Sequence, residues 1–261
     1  MYKWARKDLI DTWDNTGFQI GNHNKIVGKI LVGLDLDRAL LNQALVEKFD
    51  MIITHHPLIF NPIKNITNET NRGNLIMDII KNDIVVFNAH SNLDLVDDGV
   101  NYHLAAVLGL KNSEVLSPIT LKDTSSLALT SKKFGYGRIG TIDGRSMIDY
   151  ISFVKDKLKI ESLIVYGDRN KPVERVAVCG GSGSNFILDA FENKADVYIT
   201  GDIKYHDAQF AHELGMTIFD AGHFNTERII LPVIKNYLEE NLEKDLLIKL
   251  VMESGLPHKI Y

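Results

Sequence analysis

The sequence predicts an α/β fold. Apolar runs of strand length alternate with segments in which apolar residues recur every three or four positions, over most of the 261 residues. The opening order of strand, helix, strand, helix, strand, helix implies a parallel sheet with right-handed crossovers. The strands also deliver polar, ligand-type residues at their carboxyl ends, the edge at which open α/β sheets collect ligands.

In chain order, Asp14–Gly21 (DNTGFQIG) reads as a polar, glycine-punctuated loop beside Trp13, either a capped turn or a pocket rim. Residues 29–36 (KILVGLDL) read as a strand ending in Asp35 and Asp37, and Asp37 caps a helix over 38–48. The next run, Phe49 and Met51 to Ile53, stops at His55-His56-Pro57, where proline ends regular structure. A helix near 74–81 and a strand over 84–88 follow, and that strand runs into Ala89-His-Ser-Asn-Leu-Asp94. Val100, Leu104 and Val107 form the apolar row of a helix over 99–108.

Ser117-Pro118 and the polar stretch 122–126 read as a linker. Beyond it, 138–142, 146–158, 163–166 and 175–179 alternate strand, helix, strand, strand. The glycine cluster Gly180–Ser184 opens a helix over 185–192 and is either a phosphate cradle or a tight βα turn. A strand over 196–200 leads to Gly201-Asp-Ile-Lys-Tyr-His206 and a helix of about three turns. The strand 216–220 opens into Ala221-Gly-His-Phe-Asn-Thr-Glu227, and an amphipathic helix then runs to about Glu240. Pro232 lies in its early turns, so that helix begins only a few residues earlier. Residues 246–252 supply a closing strand.

Composition narrows the function classes. With 45% hydrophobic and 24% charged residues the chain can bury a substantial core. No run approaches a membrane span, and the N-terminus is charged where a signal peptide is apolar, so a cytoplasmic protein without membrane contact is expected. A net charge of -5 argues against general nucleic-acid binding. The single cysteine, Cys179, reads as core and excludes an internal disulfide or a thiolate cluster within one chain, leaving nitrogen and oxygen for any metal.

Five such donors stand where a strand ends or a helix begins: His55, His56, Asp94, His223 and Glu227. Each has a simpler reading alone: a satisfied His-His-Pro turn, an Asx-turn at Asp94, a carboxylate at a helix N-terminus for Glu227. Their common placement at the sheet edge points instead to two metal ions. Adjacent histidines at a turning strand end can face two centres, and Glu227 is the natural bridge. Two ions about 3.5 to 4 Å apart can share a water and lower its pKa. His90, Asn92 and Asp98, on the same loops, are suited to orient ligands.

The motifs WDNTGFQIG (13–21), ITHHPLIF (53–60), NAHSNLDLVDDGVN (88–101), VAVCGGSGS (176–184), VYITGDIKYHDAQ (197–209) and DAGHFNTER (220–228) span nearly the whole chain. In them the sequence resembles the GTP cyclohydrolase 1 type 2 homologue family (DUF34, related to the Ngg1-interacting factor). The resemblance implies two α/β domains with a metal site in the cleft between them. The first domain is discontinuous, 1–122 plus 229–261, and 123–228 is the inserted second domain. It implies that His55 and His223 bind one ion, His56 and Asp94 the other, and Glu227 both. It also implies a homohexamer built as a trimer of dimers. Two departures stand out: the helix that leads into WDNTG is shortened, and the extra middle domain of longer relatives is absent.

The function so implied is metal-dependent hydrolysis of a small molecule, GTP or a related heterocycle, opened at C8 of the guanine ring. Glu227 and the ions set the nucleophile, and His90 or His206 is the candidate for proton transfer. The two divalent ions are Zn, Fe, Mn or Ni, and Co fits the same donors. The competing classes are a non-catalytic metal-binding or metal-delivery protein and a ring-forming regulatory scaffold.

Overall fold

The chain runs through β1 (Gly17–Ile20), β2 (Lys29–Gly33), α1 (Arg38–Glu47), β3 (Met51–Thr54), α2 (Asn71–Lys81), β4 (Val85–Asn88), α3 (Ser91–Leu95) and α4 (Val100–Val107). It continues through β5 (Lys111–Pro118), β6 (Gly135–Ser146), α5 (Met147–Leu158), β7 (Ile164–Tyr166), β8 (Pro172–Ser182) and α6 (Ile187–Glu192). The last elements are β9 (Val197–Gly201), α7 (Tyr205–Glu213), β10 (Thr217–Asp220), α8 (His223–Glu227), α9 (Leu231–Asn241) and β11 (Leu247–Leu250). The computed structural model describes residues 1–120, 134–243 and 245–253. Its contacts divide the chain into two units, Met1–Leu93 with the segment from Leu231 onward, and Asp94–Ile230. The hand-over expected at 122–123 and the linker expected at 122–126 lie outside the described residues.

The first unit is a five-stranded sheet in the order β1-β4-β3-β2-β11. Strands β4, β3, β2 and β11 are parallel. Parallel strands need helical crossovers, and the sequence punctuates them well. The Asp37 carboxylate accepts from the Leu40 N–H at 2.8 Å to start α1, and Thr70 Oγ1 accepts from the Gly73 N–H at 3.0 Å to start α2. Pro232 is the second residue of α9, where its missing donor costs nothing. Leu31, Ile52 and Val86 from neighbouring strands stack in a core with Leu41, Ile76 and Ile79.

Two expectations are corrected here. Residues 17–20, read as loop, form an edge strand antiparallel to β4, and Ser117-Pro118, read as linker, ends β5 antiparallel to β6. Both are edge strands, whose ladder is set by a partner distant in sequence rather than by a local apolar pattern.

The second unit is a six-stranded sheet in the order β5-β6-β8-β9-β10-β7, with β8, β9 and β10 parallel at its centre. The flanking pairs are antiparallel. Successive residues of β8 face opposite sides: Val176 and Val178 join Tyr150, Val154 and Leu104 in one core, while Ala177 and Cys179 join Tyr198, Ile187 and Ala211 in another. Cys179 is therefore core, as expected, and burial pushes its thiol far above the ordinary range. Both units are α/β, as the alternation of strand and helix predicts. Among the described residues no helix is long and apolar enough to cross a membrane.

Candidate metal centre

In the first unit the parallel register brings three strand ends level. Gly33 pairs with Thr54 and Thr54 with Asn88, so Asp35, His55-His56 and His90 emerge side by side. Backbone bonds extend the alignment past the strands: the His56 N–H donates to the Leu34 carbonyl and the Ala89 N–H to the Thr54 carbonyl, both at 3.0 Å. One ring nitrogen each from His55, His56 and His90 lies within 4.8 Å of the others. The ring centroids are 5.0 to 5.6 Å apart.

Every one of these rings is held through Nδ1. His55 Nδ1 meets the Ala89 carbonyl at 2.7 Å, His56 Nδ1 the Asp35 carboxylate at 2.7 Å, and His90 Nδ1 the Asp14 carboxylate at 2.9 Å. A carbonyl or carboxylate oxygen only accepts, so Nδ1 carries a proton, and in the neutral ring Nε2 has the lone pair. An oxygen acceptor behind the ring is how metal-binding histidines have tautomer and direction fixed. Asp14, with its side chain 0% exposed, is itself strongly held. Burial alone would raise its carboxyl, but hydrogen bonds from His90, Ser91 and Thr16 outweigh that and hold it well below the usual carboxylate range.

In the second unit the same device recurs. Thr200 pairs with Asp220 in parallel, so Asp202 after β9 and His223 after β10 leave the sheet at one edge. His223 Nδ1 meets Asp202 Oδ2 at 2.7 Å and His223 Nε2 lies 3.0 Å from Glu227 Oε2. With metal–ligand bonds of about 2.0 to 2.2 Å, a nitrogen and an oxygen on one tetrahedral ion stand about 3.3 to 3.6 Å apart, slightly wider than this hydrogen-bonding separation. His223 Nε2 and Glu227 Oε2 are thus neighbouring donor atoms that could hold a cation. An Asp94 carboxylate oxygen also lies within 4.8 Å of a Glu227 oxygen, so two donor groups neighbour this carboxylate.

Gly180 and Gly181 make room for this carboxylate. Glu227 is 4% exposed, and a Cβ on Gly181 would overlap its Oε1 and come within 3.2 Å of His223 Nε2. Gly181 has φ +68°, so β8 bulges where Glu227 lies against it. The Gly181 N–H donates to Thr226 Oγ1 at 3.0 Å, and that hydroxyl donates to the His223 carbonyl, fixing α8 on β8. Asn101 ties in Asp94: its amide donates to the Asp94 carbonyl while its Oδ1 accepts from the Gly180 N–H.

Of the remaining predicted residues, His206 is exposed at the start of α7, edge-on to Tyr205, and joins no donor group among the described residues. Asn92 is buried and donates to the Ala5 carbonyl, a packing bond. Asp98 faces His103, whose pKa burial lowers against the opposing pull of that carboxylate. The orienting role of Asp14, Asp35 and Asp202 was not read from sequence, which marked only Asp35 as the end of a strand. Asp35 and Asp202 each stand within two residues of a strand end, the same signal that marks the histidines.

A family model described as Duf34/NIF3 (NGG1p interacting factor 3) matches residues 1–255. Two relatives named GTP cyclohydrolase 1 type 2 homolog match most of the chain. The one from Clostridium acetobutylicum is 35% identical, covering 92% of this chain and 87% of its own; the one from Clostridium perfringens is 33% identical, covering 92% and 89%. Among solved structures, a Bacillus cereus protein related to NIF3 superposes with a TM-score of 0.92 at 27% identity, covering 100% of this chain and 96% of its own.

Proposed function

Because the chain belongs to the Duf34/NIF3 (NGG1p interacting factor 3) family, we propose that it binds two divalent metal ions through His55, His56, Asp94, His223 and Glu227. In this reading it uses them to hydrolyse a ring of a purine nucleotide or related heterocycle. One observation carries the metal assignment: the three imidazoles in this set, His55, His56 and His223, are all held through Nδ1 by an oxygen acceptor. A ligating Nε2 is almost always backed in this way, and the same backing suits His90 to proton transfer. The donors are nitrogen and carboxylate oxygen, which suits Zn, Fe, Mn or Ni. The name GTP cyclohydrolase 1 type 2 homolog, carried by the relatives, supports a purine nucleotide as substrate.

Such a pair of ions, when bound, polarises substrate oxygens and lowers the pKa of water. The chain's own residues do the rest. Glu227 is held against the Gly181 bulge with Oε2 at His223 Nε2, and Asp202 keeps that ring directed toward it. His90, backed by Asp14, has an Nε2 able to take up or deliver a proton. Assembly as a trimer of dimers belongs to the same proposal and is tested by light scattering on the eluting protein.

The activity is tested by reconstituting chelator-treated protein with Mn, Fe or Zn and following GTP by chromatography. The proposal expects ring-opened product only with metal, reduced on the order of 100- to 10,000-fold in His90→Ala. Metal-loaded protein that turns over no purine nucleotide removes the hydrolase reading and leaves a metal-binding protein.

A further inference from the structure

The geometry points to Asp14 as a positioning residue that sets the tautomer of His90. It does so through a set of hydrogen bonds whose directions cannot be reversed. Asp14 Oδ1 accepts from His90 Nδ1 at 2.9 Å, and Oδ2 accepts from the Ser91 N–H at 3.1 Å and from Ser91 Oγ at 2.6 Å. Thr16 Oγ1 donates to the same oxygen. The Ser91 hydroxyl is itself fixed, because its oxygen accepts from the Asp11 N–H at 3.1 Å. With its carboxyl held well below the ordinary range, Asp14 is an acceptor on both oxygens, and the shared proton belongs to the ring.

His90 is the histidine for which this matters most. His55 takes its direction from a backbone carbonyl, which no side-chain substitution removes, and the acids behind His56 and His223 are exposed. Asp14 alone among these acids has a fully buried side chain, and its bonds from His90 and Ser91, with that from the Asp11 N–H to Ser91 Oγ, join the segment 11–16 to residues 90–91. The loop carrying WDNTG therefore does more than rim a pocket. It imposes a proton on His90 Nδ1 and leaves a lone pair on Nε2, beside the rings of His55 and His56.

The consequence can be read from the substitution Asp14→Asn, which keeps the shape and replaces one acceptor by a donor. The Ser91 backbone N–H requires an oxygen opposite it, so the amide oxygen takes the place of Oδ2 and the NH2 group faces His90 Nδ1. Nδ1 then becomes the acceptor, the ring proton moves to Nε2, and the lone pair that faced the histidine cluster is lost. A buried acid that orients a catalytic imidazole has the same dependence in serine proteases.

The use of that lone pair in catalysis rests on the hydrolase reading above, whereas the tautomer is measured without metal or substrate, so the two fail separately. The measurement is two-bond proton–nitrogen correlation on 15N-histidine-labelled, metal-free full-length protein, at a pH where the ring is neutral. The His90 signal is assigned by its loss in His90→Gln. A protonated Nδ1 in the wild type and a protonated Nε2 in Asp14→Asn are expected. With substrate and metal, kcat falls on the order of 100- to 10,000-fold in Asp14→Asn with KM little changed. A wild-type ring protonated on Nε2 overturns the inference without any variant, and so does a folded Asp14→Asn protein that keeps the Nδ1 proton.

Discussion

Replacing Gly181 by alanine tests whether the β8 bulge exists to seat Glu227, and Gly215→Ala supplies the control. Both glycines have left-handed backbones, φ +68° and +72°, so both variants incur the backbone cost of about 1–2 kcal/mol. They differ in surroundings. A Cβ at Gly215 meets nothing within 4 Å, whereas one at Gly181 overlaps Glu227 Oε1 and lies 3.0 Å from its Cδ. The overlap adds about 1–3 kcal/mol, for a total of roughly 2–5 kcal/mol. The carboxylate is the part that yields, so Gly181→Ala should also move a ligand. The assay is urea unfolding of metal-free protein together with metal content after dialysis against excess Zn or Mn. Gly215→Ala should lose about 1–2 kcal/mol and keep its metal, while Gly181→Ala loses more stability and at least one ion. Equal stability losses with full metal content in both variants would refute the reasoning.

Other consequences follow from single contacts. Asp202→Ala removes the acceptor behind His223 at an exposed position, so metal affinity should fall about 10- to 100-fold by calorimetric titration while unfolding stability shifts by less than about 1 kcal/mol. The lowered pKa of Asp14 stabilises the fold fully above the ordinary carboxylate value of about 3.9, and that contribution is lost as pH falls toward the depressed folded value. Acid titration of metal-free protein should accordingly show a component that Asp14→Ala lacks; identical acid slopes would contradict it. Tyr150→Phe removes the buried bond from the phenol to the Leu108 carbonyl at 3.2 Å and should cost about 1 kcal/mol in urea unfolding.

The parts of this molecule legible in sequence are those written in local pattern. The strand 51–54, its stop at His55-His56, the Asp37 cap, the position of Pro232 and the helical face of α9 follow from apolar period, capping chemistry and proline geometry. The donor residues were visible because His55 and His56 follow a strand and His223 opens a helix, while Asp94 and Glu227 lie on the short helices just beyond strands β4 and β10. What local pattern does not contain is strand order and register. Only the pairing of Thr54 with Asn88 and of Gly33 with Thr54 brings Asp35 beside His56 and leaves His90 level with His55. Asp14 was hidden for a further reason: it sits in a stretch whose following strand, β1, pairs with β4 far along the chain. The 180–184 glycines looked like a phosphate loop or a tight turn because both require the same composition. Only the position of Glu227 shows what Gly181 accommodates.

The central claim is that Glu227 serves as a ligand to a pair of ions, and metal content tests it most directly. Protein purified without a chelating tag and measured by inductively coupled plasma mass spectrometry should carry about two ions per chain, and Glu227→Ala one or none. A folded Glu227→Ala protein with the metal content of the wild type would contradict the account.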